Sequence, residues 1–342
     1  MSYIVKHSAL FKEYEFQFKR KVAMFFLICT SIALLALYAT TQGSYELSFS
    51  QVLSVLAGQL KGSAKIVVLN IRLPRVFSAI LCGWGLSLAG LNIQTLLRNP
   101  LGSPSTLGIS QGAACGAAFA IIMFSAQMSM VTLFAFLGAI LATCVILLLA
   151  QMKRLTAESI ILAGVALSSL FAAATVLLQY IATENELAKV VFWSFGDVAR
   201  SNWSEIGILA FVVLFTTLKM IWFRWDLNAM LAGEETATSL GVNARKRRVR
   251  GMLFSALVAA VATAFHGVLA FVGLIAPHIA RRLVGDDHSL LIYFSGAIGA
   301  LLLLAADTSG RLLMGSGTLP VGVLTSFLGG PMFLYLLLQD EK

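Results

Sequence analysis

Charge is scarce in this chain. Asp, Glu, Lys and Arg make up 12% of its 342 residues, about half of what a soluble domain carries. The four cysteines, Cys29, Cys82, Cys115 and Cys144, all lie inside apolar runs with no short Cys–Cys or Cys–His spacing. They read as small hydrophobes of packed helices, and no disulfide or zinc pattern is present. The four histidines, His7, His266, His278 and His288, are scattered, and none sits at ligand spacing with another. A Gly-rich phosphate loop ending in Gly-Lys-Ser/Thr is missing, as are a His-Glu-x-x-His pattern and a nucleophile–base pair. The sequence therefore points to no enzyme, bound cofactor or nucleotide site of its own. The strict alternation of a membrane β-barrel is missing too.

What is present is apolar. Hydrophobic residues make up 58% of the chain and the mean hydropathy is +0.87. Runs of about 20 apolar residues recur, each long enough to cross a hydrocarbon core of about 30 Å. Hydrocarbon offers the backbone no hydrogen bonds, so these runs are expected to be helices. The fold class predicted is an all-α polytopic membrane protein with about ten spans, and residues 1–342 form one membrane domain. The expected spans are Val22–Thr41, Arg75–Leu97, Thr106–Ser125, Met130–Met152, Ile160–Ile181, Ile206–Phe223, Met252–Ala270, a return run from Val268 through "FVGLIAPHIARRL", Leu290–Ala306 and Leu319–Leu338.

Between them lie non-spanning pieces. Residues 1–21 mix aromatics with lysines and read as an interfacial amphipathic segment, followed by a retained first span rather than a cleaved signal. Ser48–Leu60 suggests a short outer helix, and Ala182–Glu205 a helix and loop folded on the outer side. The largest inner loop is residues 224–250.

The basic residues orient the chain. Of the 25 lysines and arginines, only Lys61, Lys65, Arg72, Arg75, Lys189, Arg200 and Arg311 fall outside; the remainder lie at inner ends. That excess marks the cytoplasmic face and places both ends of the chain there. The net charge of +9 thus reports topology and membrane contact rather than nucleic-acid binding. Five spans before the outer loop and five after it would make inverted halves, although no internal sequence repeat is visible.

Ionisable residues are nearly missing from the span centres; Glu158, Asp197 and Asp307 sit near span ends. That argues against a proton-coupled transporter or a channel with acidic rings. Asn92, Gln94 and Gln111 are polar and uncharged. They fit either hydrogen bonds between helices or contacts to a substrate.

One family ties these features together. "IRLPRVFSAILCGWGLSLAGLNIQTLLRNPLGSPSTLGISQGAACGA" (Ile71–Ala117) resembles the corresponding block of the FecCD family, permease subunits of ABC importers for iron–siderophore complexes, haem and vitamin B12. "GEETATSLGV", "FVGLIAPHIARRLVGDDH" and "LPVGVLTSFLGGPMFLYLLL" continue the match in the same order. The "NPLGSP" turn, with Gly102 and Ser103, and Thr318 before the last "LP" depart from the usual pattern.

The resemblance implies a type II ABC importer permease in a bacterial cytoplasmic membrane. It implies a homodimer, two ATPase subunits and an external or periplasmic substrate-binding protein. The cargo expected is an iron(III)–siderophore complex, with haem or cobalamin as the alternative. The competing class is a self-contained secondary transporter.

The segment "LAGEETATSLGVNARKRRVRG" (Leu231–Gly251) is the polar exception. Gly233 precedes Glu234 and Glu235, acids that suit a helix N-terminus, and Gly241 suits the stop. A helix of about two turns is too short to hold alone in water, and Ala237 and Leu240 offer it a small apolar face. On composition alone it is equally a solvated loop; the family resemblance implies a coupling helix seated on the ATPase. Arg245–Arg250 reads as a cytoplasmic anchor.

Arg72 and Arg75 flank Pro74, and Arg311 also falls outside. Interfacial snorkelling explains them; the resemblance implies instead that they receive acids of the binding protein. It also implies that the pathway follows the fifth and tenth spans. The inner turn Lys153–Ser159, and within it Thr156, Ala157, Glu158 and Ser159, is the implied gate region. Gly329, Gly330 and Pro331 suit either a bend or close packing of the tenth span.

Overall fold

The computed structural model describes residues 2–59, 62–152, 156–313 and 319–339. Among them every regular element is helical. The order begins with α1 (Ser2–Thr41), α2 (Phe49–Leu56), α3 (Ser63–Ile66), a π-turn (Val67–Arg72) and α4 (Leu73–Leu97). It continues with α5 (Ile109–Met123), α6 (Met128–Met152), α7 (Ala157–Ile181), α8 (Glu184–Ser194) and a 3₁₀ turn (Val198–Arg200). After α9 (Trp203–Trp222) come α10 (Arg224–Leu231) and α11 (Glu234–Ser239). The chain closes through α12 (Ala244–His266), α13 (Val272–Val284), α14 (His288–Leu313) and α15 (Val321–Gln339).

Among the described residues, seven helices are long and apolar enough to cross a bilayer. They are α1 from Glu15, the continuous Ser63–Leu97 helix, α6, α7, α9, α12 and α14. Two expected spans are shorter than predicted. The third is only Ile109–Met123, because Gly108 and then Ser125 and Ala126, all at positive φ, cut it at both ends. Its 15 residues reach about 22 Å at 1.5 Å per residue. The eighth is Val272–Val284, which starts after Phe271 at φ 66° and carries Pro277.

The second span is longer than predicted. It is one helix of 35 residues, because the wider π-turn before Pro74 absorbs the hydrogen bond that proline cannot donate. The interfacial segment expected at 1–21 is not a separate element. No glycine or proline interrupts residues 2–41, so α1 runs unbroken from Ser2. The expected outer helices are present, α2 with a Ser48–Gln51 capping box and α8 with a Thr183–Glu186 capping box.

Helix α4 is the axis of the bundle. Of its most apolar window 78% is buried, against 6% for α1 and 17% for α7. It meets its neighbours backbone to backbone. A Cβ on Gly90 would lie 1.7 Å from the Gly273 carbonyl oxygen, and one on Gly83 would lie 2.2 Å from that of Gly299. Gly112 and Gly138 join α5 to α6 in the same way, at 2.5 Å. Small residues at these crossings let van der Waals contact replace the hydrophobic drive that lipid removes.

Asn92 and Gln94 resolve as bonds between helices. The Asn92 amide donates to the Gly251 carbonyl at 2.8 Å and to Ser255 Oγ at 2.9 Å. The Gln94 amide donates to the carbonyls of Gly273 and Leu274, and accepts from Arg281 at 3.3 Å. Gly329 is a packing residue, since a Cβ there would meet the Phe271 side chain at 2.4 Å; Gly330 faces open space.

Candidate functional site

At one end of the bundle the chain between α9 and α12 is almost wholly helical. Residues 224–250, expected as a loop, are α10, α11 and the first turns of α12. The basic run belongs to α12, which Asn243 caps by accepting from the Lys246 amide at 2.9 Å. Arg247 and Arg248 turn inward. Arg247 pairs with Asp226 and lies 3.6 Å from the Phe223 ring centre, a cation–π contact. Arg248 is 3% exposed and donates to the Leu96 carbonyl at 3.3 Å.

The six-residue helix α11 is closed at both ends by its glycines. Gly233 stands at φ 122° before Glu234, and Gly241 at φ 85° ends it. The Gly241 amide bonds to the Thr238 carbonyl and the Val242 amide to the Ala237 carbonyl, both at 2.9 Å. This is a Schellman stop, and partly buried Val242 belongs to the same apolar cluster as Ala237. Glu234 does more than oppose the helix dipole. Its carboxylate pairs with Arg248 at 3.1 Å, which fixes the start of α11 to α12 and, through Leu96, to α4.

Ala237 and Leu240 do not share a docking face. Ala237 is fully buried against the protein, whereas Leu240 is 68% exposed. Glu235 is exposed beside it. The outward surface of α11 is thus polar with one leucine projecting. That side chain is the apolar foothold available to another protein.

A second set of bonds secures α10. The Asn228 amide donates to Asp287 at 2.8 Å, and its carbonyl oxygen accepts from the His288 amide at 2.9 Å. His288 Nε2 lies 2.9 Å from Thr95 Oγ1 of α4. Asp287 caps α14 by accepting from the Ser289 amide at 2.9 Å. That hydrogen bond, with the Asn228 and Ser289 side chains, holds its carboxyl below the ordinary value of 3.8.

The implied gate residues form the start of α7. Thr156 accepts from the Ser159 amide at 3.2 Å and caps the helix. Ala157 is half-buried and Glu158 exposed in the first turn. Lys153, Arg154 and Leu155 lie outside the described residues. Beyond this turn α7 exposes Leu162, Val165, Leu170, Val176, Leu177 and Tyr180 along its length.

At the opposite end, Arg72, Arg75 and Arg311 form no exposed patch. They are 4%, 8% and 8% exposed. Arg72 donates to the carbonyls of Thr40 and Thr41 at 2.8 and 3.0 Å and to that of Tyr45. Arg311 donates to the Ala39 carbonyl at 2.8 Å and to that of Gln42 at 3.3 Å. Two cations therefore sit on the C-terminal end of α1, where unpaired carbonyls and the helix dipole attract them.

Arg75 Nε lies 2.9 and 3.1 Å from the two oxygens of Asp307, and Arg311 Nη2 is 3.2 Å from the same carboxylate. The arginines are consumed internally, on a fully buried Asp307 and on the carbonyls that end α1. The readable clue was the spacing of four between Asp307 and Arg311, which puts them on one helix face.

Sequence reading also missed a buried chain of groups at this end. Cys82 Sγ lies 3.4 Å from His266 Nδ1, and His266 Nε2 lies 3.1 Å from Ser201 Oγ. Asp197 lies beside it, its backbone amide donating to the His266 carbonyl at 2.7 Å. The residues come from distant positions, so no local motif announces them. Among the described residues no cluster of three or more His, Cys, Asp or Glu suits a metal ion.

Known proteins share this architecture. MJ0087 of Methanocaldococcus jannaschii, assigned as an ABC transporter permease, is 48% identical over 97% of this chain and 98% of its own. The haemin transport system permease HmuU of Yersinia pestis is 35% identical over 91% of this chain and 94% of its own. A solved inward-facing structure of an ABC transporter assigned to the metal-chelate type superposes with a TM-score of 0.83. It is 31% identical and covers 93% of this chain and 99% of its own. Residues 30–339 match the FecCD transport family throughout, and the chain belongs to that family.

Proposed function

We propose that this chain is the membrane-spanning permease of an ABC importer that carries an iron(III)–siderophore complex across the cytoplasmic membrane. The observation that carries the reading is α11. It is a short helix anchored to the bundle by Glu234 and Arg248, with Leu240 projecting from it. Such a lever suits a separate ATPase that seats on Leu240, Glu235 and the Gly241 turn. Closure of the ATPase pair then pulls α11, and its ties to α4, α10 and α12 pass the motion into the spans.

In this reading two copies pair and each contributes about ten spans. The short α5 and α13, with most of their residues buried, pack within the bundle, where a helix need not match the bilayer. Helices α7 and α15 line the pathway, with Thr156–Ser159 at its inner mouth. Both ends of the chain lie in the cytoplasm. An external binding protein delivers cargo to the outer rim that Arg72, Arg75 and Arg311 brace from within.

The cargo class is drawn from the haemin permease and the metal-chelate neighbour, both named for metal held in an organic ligand. Haem is the second reading, on the strength of the first of these. Cobalamin stands beside it, since a vitamin B12 permease of Vibrio cholerae is 35% identical over 80% of this chain.

The test is uptake into vesicles holding the full complex with a ferric hydroxamate, haemin or cobalamin. ATP-dependent accumulation of the ferric hydroxamate alone is expected. Accumulation of haemin or cobalamin in its place overturns the cargo. Uptake by the permease without its ATPase overturns the class.

A further inference from the structure

A cavity of about 560 Å³ opens at the same end of the bundle as α11, within the about 300–1,000 Å³ typical of small-ligand sites. Four elements wall it: α1 near Lys21, the α9–α10 junction, the end of α13 and the start of α14. None of the bonds described for the lever uses the two cations that face it, Lys21 and Arg224.

Both cations are half-buried and held in place. The Lys21 ammonium donates to the Val284 carbonyl at 2.9 Å, which engages one of its three hydrogens. Arg224 donates to the Ile221 carbonyl at 3.4 Å and lies 5.4 Å from the Trp225 ring centre, while a guanidinium carries five N–H donors. Each therefore keeps donors for a further oxygen ligand.

The carboxylate that lines the cavity, Asp287, is committed to Asn228 and the Ser289 amide. His288 lines it too but spends its ring nitrogens on Asn228 and Thr95. Two cations against one carboxylate leave a single positive charge. A phosphodiester, with one negative charge and several acceptor oxygens, would neutralise the set.

The surroundings say where that phosphodiester comes from. Trp222 and Trp225, 80% and 65% exposed, stand at the rim like the aromatic belt of a membrane interface. From this rim Phe211, Leu214, Leu218 and Trp222 form one stripe of α9, each more than half exposed. Their spacing of three to four residues keeps them on one face. A cavity of mixed polar and apolar lining thus lies at the foot of an apolar stripe that runs up α9. Basic pockets between helices on the cytoplasmic side are where anionic headgroups bind.

We propose that this cavity holds the phosphodiester headgroup of one anionic glycerophospholipid, its acyl chains lying along the Phe211–Trp222 stripe. The lipid joins α1 to the base of α10, the helix that leads into α11. The proposal takes its orientation in the membrane from the preceding reading, but it does not depend on the cargo or on the ATPase.

The experiment is native mass spectrometry of the full purified chain titrated with phosphatidylglycerol, with phosphatidylcholine, and with inorganic phosphate. One phosphatidylglycerol per chain is expected to bind at least about tenfold more tightly than phosphatidylcholine. From about 1 kcal/mol per cation, K21E/R224E is expected to weaken it by about thirtyfold or more. The charge-keeping K21R/R224K should stay within about threefold. The melting temperature of each variant in detergent separates lost binding from lost folding. If K21E/R224E misfolds, K21Q and R224Q, each expected to weaken phosphatidylglycerol by about fivefold, replace it. Equal affinity for the two lipids, or unchanged phosphatidylglycerol binding in the reversed or neutralised variants, overturns the proposal. Displacement of phosphatidylglycerol by millimolar inorganic phosphate shows a free-anion site and overturns the lipid.

Discussion

The carboxylate of Asp307 holds the guanidinium of Arg75 across 232 positions of sequence, at 2.9 and 3.1 Å, and holds Arg311 one turn along its own helix. Removing this one charge leaves Arg75 with Asp197 at 3.9 Å and Arg311 with the carbonyls of Ala39 and Gln42. Asp307→Asn is expected to cost about 3–5 kcal/mol, read as a lower unfolding midpoint in detergent. Arg72→Ala, which loosens only the end of α1, should cost less. A midpoint for Asp307→Asn equal to that of the unaltered chain would show that the cluster bears no stability.

Leu240 projects from the end of α11 and is 68% exposed. Leu240→Glu should leave the melting temperature unchanged and weaken ATPase association by tenfold or more, since burying a leucine is worth about 1.5–3 kcal/mol. Co-purification with the ATPase subunit measures it. Undiminished co-purification would mean that α11 is not the seat.

Glu234 acts from the other side of the same helix. Glu234→Gln keeps the shape of the side chain but removes the charge that Arg248 meets. The expected result is an ATPase that still binds and still hydrolyses ATP but drives less uptake per ATP. A stoichiometry of uptake equal to that of the unaltered transporter would refute an anchoring role.

Two glycines within the spans should behave oppositely. Gly90→Ala forces a methyl into the Gly273 carbonyl at 1.7 Å, and α4 and α13 must separate. The loss should exceed the about 1–3 kcal/mol of ordinary overpacking. Gly207→Ala on α9 meets nothing within 4 Å and should be neutral or stabilising by up to about 1 kcal/mol. Thermal midpoints of the two variants decide it.

Asp287 supplies an acid-sensitive tie. The Ser289 amide, with the Asn228 side chain, lowers its folded-state pKa below the ordinary 3.8. Its contribution is therefore complete above the unfolded value and is lost as pH falls through the folded one. Stability should decline below about pH 4 less steeply in Asp287→Asn than in the unaltered chain. Parallel pH profiles of the melting temperature would contradict this.

The bilayer-crossing runs were legible because hydropathy is local; α6, α7, α9 and α14 begin within a few residues of where composition places them. The stop at Gly241 was legible for the same reason, whereas the capping boxes at Ser48 and Thr183 came only with the structure. What sequence reading misjudged depends on partners far along the chain. Arg72, Arg75 and Arg311 look like free outer charges until Asp307 and the carbonyls ending α1 are beside them. Arg247 and Arg248 look like a surface anchor until Asp226, Glu234 and Leu96 claim them. Ala237 and Leu240 look like one face, yet a helix of six residues has room for one neighbour below and one above. Helix α12 starts earlier than hydropathy suggests, because a charged first turn costs a helix nothing outside the membrane.

The glycine crossings also set which motions are available. Where Gly83 meets Gly299, Gly90 meets Gly273 and Gly112 meets Gly138, peptide planes touch with no side chain between them to re-pack. Helices α4, α13 and α14 are thereby locked to one another, as are α5 and α6. In the transport cycle proposed above, opening and closing would fall to hinges at the edges of these seams. Helix α7, which buries little of itself within its own chain, would then serve as the door, and a graft that thickened any of the glycine seams would jam the frame rather than the door.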